Sequence, residues 1–255
     1  RIRSSSTWNT ITSLSDNSFI VSGVSGFVIF GEGEPNEIQL SSFSGSFLYI
    51  ARYNSDGTVA WAKKATSGHP YIGLKSYGSC TLSDDSFAIT GYSVTDTFGK
   101  GEPNETVLLS FGKHDIFIAR YNPDGSLIWV KNAGGLLDDR GLTVTSLSDD
   151  SVIVSGFFRE AATFGLGEPT QMVLTSQGGE DIFIARYYSD GSLAWANNAG
   201  GSGLDICYSI TTLSDDSVVL TGHFRDTARF FLNQQNETTL VSAGEYDIFI
   251  ARYAP

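Results

Sequence analysis

Three histidines, four arginines in a repeated setting and four acidic turns are the residues of this chain whose types could do chemistry. His69, His114 and His223 could each serve as a general base or a metal ligand, but they stand at unrelated points of the sequence, without metal-ligand spacing. No Gly-x-Ser-x-Gly elbow, phosphate-cradling glycine loop or paired-cysteine zinc motif occurs. The histidines therefore read as surface or packing residues, no catalytic residue is assigned, and an enzyme is not expected. Arg52, Arg120, Arg186 and Arg252 follow apolar neighbours at spacings of 68, 66 and 66 residues. A ring of ligand contacts would give that pattern, and so would ion pairs between neighbouring sheets; the second reading is preferred. Asp16-Asn17, Asp84-Asp85, Asp149-Asp150 and Asp215-Asp216 could offer oxygen ligands to Ca²⁺. Ser-Asp-Asp-Ser is also good hairpin chemistry with its charge left to solvent, so no metal and no cofactor is assigned.

The arginines lie in a stretch that the chain writes repeatedly. Asp115 to Tyr121, Asp181 to Tyr187 and Asp247 to Tyr253 are the same seven letters, and Phe47 to Tyr53 is a divergent copy. Leu-Ser-Asp recurs at Leu14, Leu82, Leu147 and Leu213, so a period near 66 residues organises the sequence. Four strand positions follow. Position a covers about 8–15, 76–83, 142–148 and 207–214; position b covers 18–25, 86–93, 151–158 and 217–224. Position c covers 47–53, 115–121, 181–187 and 247–253, and position d is present only around Trp61, Trp129 and Trp195. Asp-Gly in the c–d turns suits a tight hairpin, since glycine accepts positive φ. No sustained 3.6-residue apolar period appears, so helix is not expected.

A four-stranded antiparallel sheet at this period predicts an all-β β-propeller, its repeats at about 1–75, 76–141, 142–206 and 207–255, the last lacking its outer strand. In position c Phe183, Ala185 and Tyr187 alternate with Ile182 and Ile184, leaving no polar face, so each sheet needs a neighbour on both sides. The run Asp115 to Trp129, the following Ala-Gly-Gly and a hairpin ending in Val-Ser-Gly or Leu-Thr-Gly resemble the SBBP-type bacterial β-propeller repeat. The resemblance covers nearly the whole chain. It implies strand a innermost, a secreted or cell-surface setting, and no catalytic residues to transfer. The acidic turns would then ring one mouth of the channel, too far apart to share an ion.

In such a fold the b–c and d–a connections emerge together on the face opposite the tight turns. The b–c connection here is long and carries Gly-Glu-Pro-Asn-Glu at 33–37 and 101–105, decaying to Gly167 to Gln171 and Asn233 to Glu237. Loops on a rigid scaffold are a common seat of recognition, so Glu102, Asn104, Glu168, Gln171 and Asn236 are the binding candidates. The repeated Thr-Phe-Gly and Val-Leu-Thr-Ser pieces could equally form short strands extending each sheet. Asn104 and Asn236 also fit the N-glycosylation sequon.

With 16 Lys+Arg against 28 Asp+Glu the net charge is −12, which opposes nucleic acid and anionic membranes as partners. No apolar run approaches the roughly 20 residues that cross a bilayer. The opening Arg1 and the single Met172 suggest a trimmed piece whose signal peptide has gone. Cys80 and Cys207 make no disulfide framework. The expected function is a non-catalytic extracellular or cell-surface binding or assembly module, its partner a protein or further copies of itself, with a glycan possible. A lectin-like propeller is the alternative, although Tyr71, Leu137 and Leu204 in the d–a loops do not repeat as a lectin site would; a hydrolase comes third. Aligning the repeats shows the fourth without a strand d, which predicts an unpaired edge at Asp247 to Tyr253. Asp247, Phe249, Ala251 and Tyr253 are the assembly candidates there, Arg1 to Ser6 starting too late to cover it.

Overall fold

The acidic turns fold for a local reason. In each, a type I turn closes from the residue-14 equivalent (Asn17 N to Leu14 O, 3.1 Å; Asp150 N to Leu147 O, 3.1 Å), and the next residue sits at φ near +60° in Asn17, Asp85, Asp150 and Asp216. Asn and Asp tolerate that left-handed conformation better than other side-chain-bearing residues. In the computed structural model, which describes residues 1–4, 9–43, 45–67, 73–231 and 235–254, strands flank every such turn and no helix occurs among the described residues. His69 and Tyr71 lie outside the described residues.

The first repeat contains β1 (Ile2–Ser4), β2 (Asn9–Ser13), β3 (Phe19–Ser25), β4 (Phe27–Phe30), β5 (Ile38–Ser41), β6 (Phe47–Tyr53) and β7 (Val59–Lys64). The second contains β8 (Leu74–Thr81), β9 (Phe87–Ser93), β10 (Asp96–Phe98), β11 (Thr106–Leu108), β12 (Asp115–Tyr121) and β13 (Leu127–Gly135). The third has β14 (Arg140–Ser146), β15 (Val152–Phe164), β16 (Met172–Tyr187) and β17 (Leu193–Gly201). The fourth has β18 (Ile206–Thr212), β19 (Val218–Phe224), β20 (Thr227–Phe230), β21 (Thr238–Val241) and β22 (Asp247–Tyr253). All ladder pairings between these strands are antiparallel, in the order a-b-c-d: β2-β3-β6-β7, then β8-β9-β12-β13, then β14-β15-β16-β17, and finally β18-β19-β22, with no fourth strand among the described residues.

The expectation of separate four-stranded sheets needs correction. Only the first repeat forms one; the second and third merge into a ten-stranded sheet that runs on into β20 and β21. The joints are the long b–c connections, which fold as hairpins (β4–β5, β10–β11, the outer halves of β15 and β16, β20–β21). Each hairpin is reached by the tail of the preceding strand d: Gly134 and Gly135 pair with Thr163 and Ala162, Gly200 and Gly201 with Arg229 and Ala228. Glycine is required there, because a Cβ on Gly135 would stand 1.9 Å from Ala161 O and one on Gly201 1.7 Å from Thr227 O. β1 takes the matching place in the first repeat, pairing Ile2 with Phe30 and Ser4 with Val28.

Between repeats the core is apolar. Ile116 and Ile118 of β12 pack with Phe183, Ala185 and Tyr187 of β16, and Ile182 and Ile184 of β16 pack with Phe249, Ala251 and Tyr253 of β22. Leu48 and Ile50 meet Phe117, Ala119 and Tyr121 in the same way. The two faces of strand c thus bind the two neighbouring repeats. Successive a-position strands stand side by side, joined through hydroxyls such as Thr10 to Ser79 (2.6 Å) and Thr145 to Thr212 (2.9 Å).

Candidate binding surfaces

The arginines and the acidic turns form one network, and its geometry corrects two expectations. Each strand-c arginine pairs within its own repeat, with the first acid of the a–b turn: Arg52 with Asp16 (2.6 Å), Arg120 with Asp84 (3.1 Å), Arg186 with Asp149 (2.6 Å) and Arg252 with Asp215 (2.5 Å). Arg120 also reaches the next repeat by donating to Ser189 O (2.9 Å), and the carboxylate links between repeats are made by the second acid. Asp85 accepts from Ser15 N (2.8 Å) and Ser15 Oγ (2.6 Å), Asp150 from Ser83 N (2.9 Å) and Oγ (2.8 Å), and Asp216 from Ser148 N (3.0 Å). These carboxylates are therefore not left to solvent, nor do they gather: no cluster of His, Cys, Asp or Glu able to hold a metal occurs among the described residues. The hydrogen bond from the Ser151 hydroxyl, helped by Arg186, holds Asp149 below the usual carboxylate range, and Ser18 and Ser217 do the same for Asp16 and Asp215.

The loop candidates turn out to be occupied by the scaffold. Glu102 Oε2 accepts from Leu127 N (2.6 Å) and Oε1 from Lys63 Nζ of the preceding repeat (2.8 Å). Glu168 repeats both contacts with Leu193 N (2.6 Å) and Lys131 (2.8 Å). Asn104 Nδ2 donates to Leu127 O and Ile128 O, both at 3.0 Å, and Gln171 Oε1 accepts from Gly167 N (2.9 Å). The Gly-Glu-Pro-Asn-Glu motif is thus a clasp tying the hairpin turn to strand d. Asn236 holds the same position in the fourth repeat, where no strand d stands, and it borders an open groove of about 290 Å³ with Phe230, Phe231, Leu240, Phe249 and Ile250.

At the fourth repeat the named edge residues mostly point inward: Phe249, Ala251 and Tyr253 are buried against the third repeat, and Asp247 accepts from Ala243 N at 2.7 Å. The outward apolar residues are their neighbours. Ile248 is 81% exposed and Ile250 74%, whereas the equivalent Ile116, Ile118, Ile182 and Ile184 are at most 1% exposed. The alternation of strand c contained this information, but the residues singled out were on the wrong side of it.

A second concavity was not foreseen. The starts of β8, β14 and β18 and the middles of β15 and β16 surround a pocket of about 510 Å³ lined by Ser76, Tyr77, Arg140, Leu142, Phe157, Glu180, Ile206 and Tyr208. The Arg140 guanidinium lies over Tyr92 (4.7 Å) and Phe157 (5.5 Å). Glu180 is nearly buried and accepts from Arg159 Nε (3.1 Å) and Nη2. Beside the pocket His114 Nδ1 meets Asp138 Oδ1 at 2.6 Å and its ring packs on Tyr92. His223 is wedged between Tyr208 and Tyr246, and burial lowers its pKa.

Behind this mouth lie buried acids. Asp115 and Asp139 flank Gly134, and Asp181 and Asp205 flank Gly200. Burial pushes Asp139 and Asp181 up to about 7 and Asp115 and Asp205 up to about 6, and the nearby second carboxylate adds to the rise of Asp139 and Asp181. Each binds backbone amides: Asp139 receives Gly135 N (2.7 Å) and Arg159 N (2.9 Å), Asp181 receives Gln177 N (2.9 Å). They brace the d–a and b–c connections that frame the pocket.

Comparison with known proteins adds a distant relative. The chain is 23% identical over 232 residues to an uncharacterized WD repeat-containing protein of Acanthamoeba polyphaga mimivirus, a match that covers 81% of this chain and 17% of the relative. The chain thus spans about a sixth of that relative's length. No Trp-Asp dipeptide occurs here; Trp61 and Trp195 precede Ala and Trp129 precedes Val. No known family profile matches. A crystal structure of a protein of unknown function from Dyadobacter fermentans is similar over 94% of this chain and 87% of its own, at 11% identity and a TM-score of 0.32.

Proposed function

We propose that the chain is a propeller-type repeat module, of the SBBP kind, that serves non-catalytic protein binding and assembly at the cell surface or outside the cell. One observation carries the reading: the Ile248–Ile250 face, buried in each preceding repeat, is open in the fourth. Covering two isoleucines contributes roughly 1.5–3 kcal/mol each. Beside them runs the edge of β22 and the groove at Asn236, the seat that a strand d occupies in the other repeats. The complementary surface is a strand of the Leu193–Ala199 type with a further repeat behind it, from the same polypeptide or another copy. The repeated scaffold of the mimivirus relative supports the propeller reading, and so does the side-by-side row of a-position strands. A synthetic peptide copying residues 192–201 tests it by fluorescence anisotropy. It should bind the intact chain and lose binding when Ile250→Asp is introduced. No binding, or binding indifferent to Ile250→Asp, would sink the proposal.

A further inference from the structure

The repeats share the Ile-Ala-Arg-Tyr of strand c and the Leu-Ser-Asp of the a–b turn, and they disagree around the pocket of β8, β14 and β18. Opposite the first apolar residue of strand c, position b holds Val24, Tyr92, Phe157 and His223 in turn. Immediately before strand c stand Ser46, His114, Glu180 and Tyr246, and at the bulge near the start of strand a stand Tyr77, Leu142 and Tyr208. Packing demands are the same in every repeat, so packing alone gives no reason for these positions to diverge. They diverge into aromatic and ionisable side chains that meet at one cavity, the composition of a recognition site.

The chemistry of the lining selects a ligand class. Arg140 can only donate hydrogen bonds, and ionised Glu180 can only accept them. The flanking charges are Asp138, which pairs with His114, and Arg159, which pairs with Glu180, so two cations stand against two acids. An anionic ligand would satisfy Arg140 and oppose Glu180, Asp138 and a protein of net charge −12. A cationic one would do the reverse. A neutral ligand whose hydroxyls both donate and accept suits both groups at once. Tyr208, 53% exposed at the rim, offers a flat ring against which the apolar C–H face of a sugar can lie. About 510 Å³ has room for one or two pyranose rings.

We infer that this pocket binds a neutral sugar through Arg140, Glu180 and the ring of Tyr208. The site is separate from the open face of β22, and its occupancy does not depend on assembly there. The test is the intact chain on an array of neutral and acidic glycans, followed by saturation-transfer NMR with the neutral disaccharide that binds best. Tyr208→Ala, at an exposed position that the fold does not need, should weaken binding tenfold or more, and Arg140→Gln should do the same. Ile250→Ala should leave it unchanged. The inference is overturned by an array without neutral binders, by preferred binding of acidic glycans, or by affinity that survives Tyr208→Ala and Arg140→Gln. Selection of a peptide from a displayed library that occupies the pocket while neutral glycans do not would overturn it equally.

Discussion

Ile184 and Ile250 occupy the same letter of the same seven-residue strand, and the structure gives them opposite fates. Ile184 is 1% exposed and packs into the cluster of the third and fourth repeats with Val218, Leu220 and Phe249; Ile250 is 74% exposed. Removing three buried carbons from a site held by neighbours on two sheets leaves a cavity, and such Ile→Ala changes cost about 2–5 kcal/mol. At roughly 2–4 °C per kcal/mol for a chain of this size, Ile184→Ala should lower Tm by about 4–20 °C. Ile250→Ala should stay within about 0.5 kcal/mol, a shift no larger than about 2 °C. Because repeats unfold partly in sequence along such arrays, the first transition of a thermal or urea melt followed by tryptophan fluorescence is the quantity to compare. Equal losses at the two positions would refute the claim that the fourth repeat has an open face.

Three further outcomes follow from the buried groups. Asp181 is pushed up to about 7 from an ordinary 3.8, chiefly by burial, so between those values the folded chain keeps a proton that the unfolded chain has lost. Its contribution is therefore fully present below about pH 4 and is lost as pH rises towards 7. Asp181→Asn keeps an acceptor for Gln177 N and removes the charge. Urea midpoints should show it stabilising by about 1–3 kcal/mol at pH 8 and near neutral at pH 4, and no difference between the two pH values would contradict the reasoning. Gly200→Ala should destabilise by at least about 2 kcal/mol in the same assay, since its φ of +148° disfavours a side chain and the Cβ would stand 2.8 Å from Asp181 Cγ. Burial pushes the Cys80 and Cys207 thiols up to about 12 and about 11, so iodoacetamide should label them in urea and barely label the native chain, as mass spectrometry will show.

The repeat sequence determined a good deal without tertiary help. Tight turns are local, so Asp84-Asp85 and Asp190-Gly191 marked their hairpins, and the period-2 alternation of Asp181 to Tyr187 announced a strand covered on both faces. That the described residues hold strands and no helix, and that strand d does not recur after β22 among them, was legible in the same way. What the letters did not contain was which distant groups would meet. Glu102 looked like a loop acid available for recognition; only the fold brings Leu127 N and Lys63 to it and spends it as a clasp. Arg186 was expected to bridge neighbouring sheets, yet the b–c register sets it beside Asp149 of its own repeat, leaving Asp216 to tie the next one on. The pocket was invisible for the same cause. Tyr77 and Tyr208 share one repeat position, but Arg140, Phe157 and Glu180 occupy three others, and the period alone does not say that these positions meet. They converge because stacked repeats carry equal strand positions to one end of the sheets, where a side chain is free of packing and can differ from its counterparts.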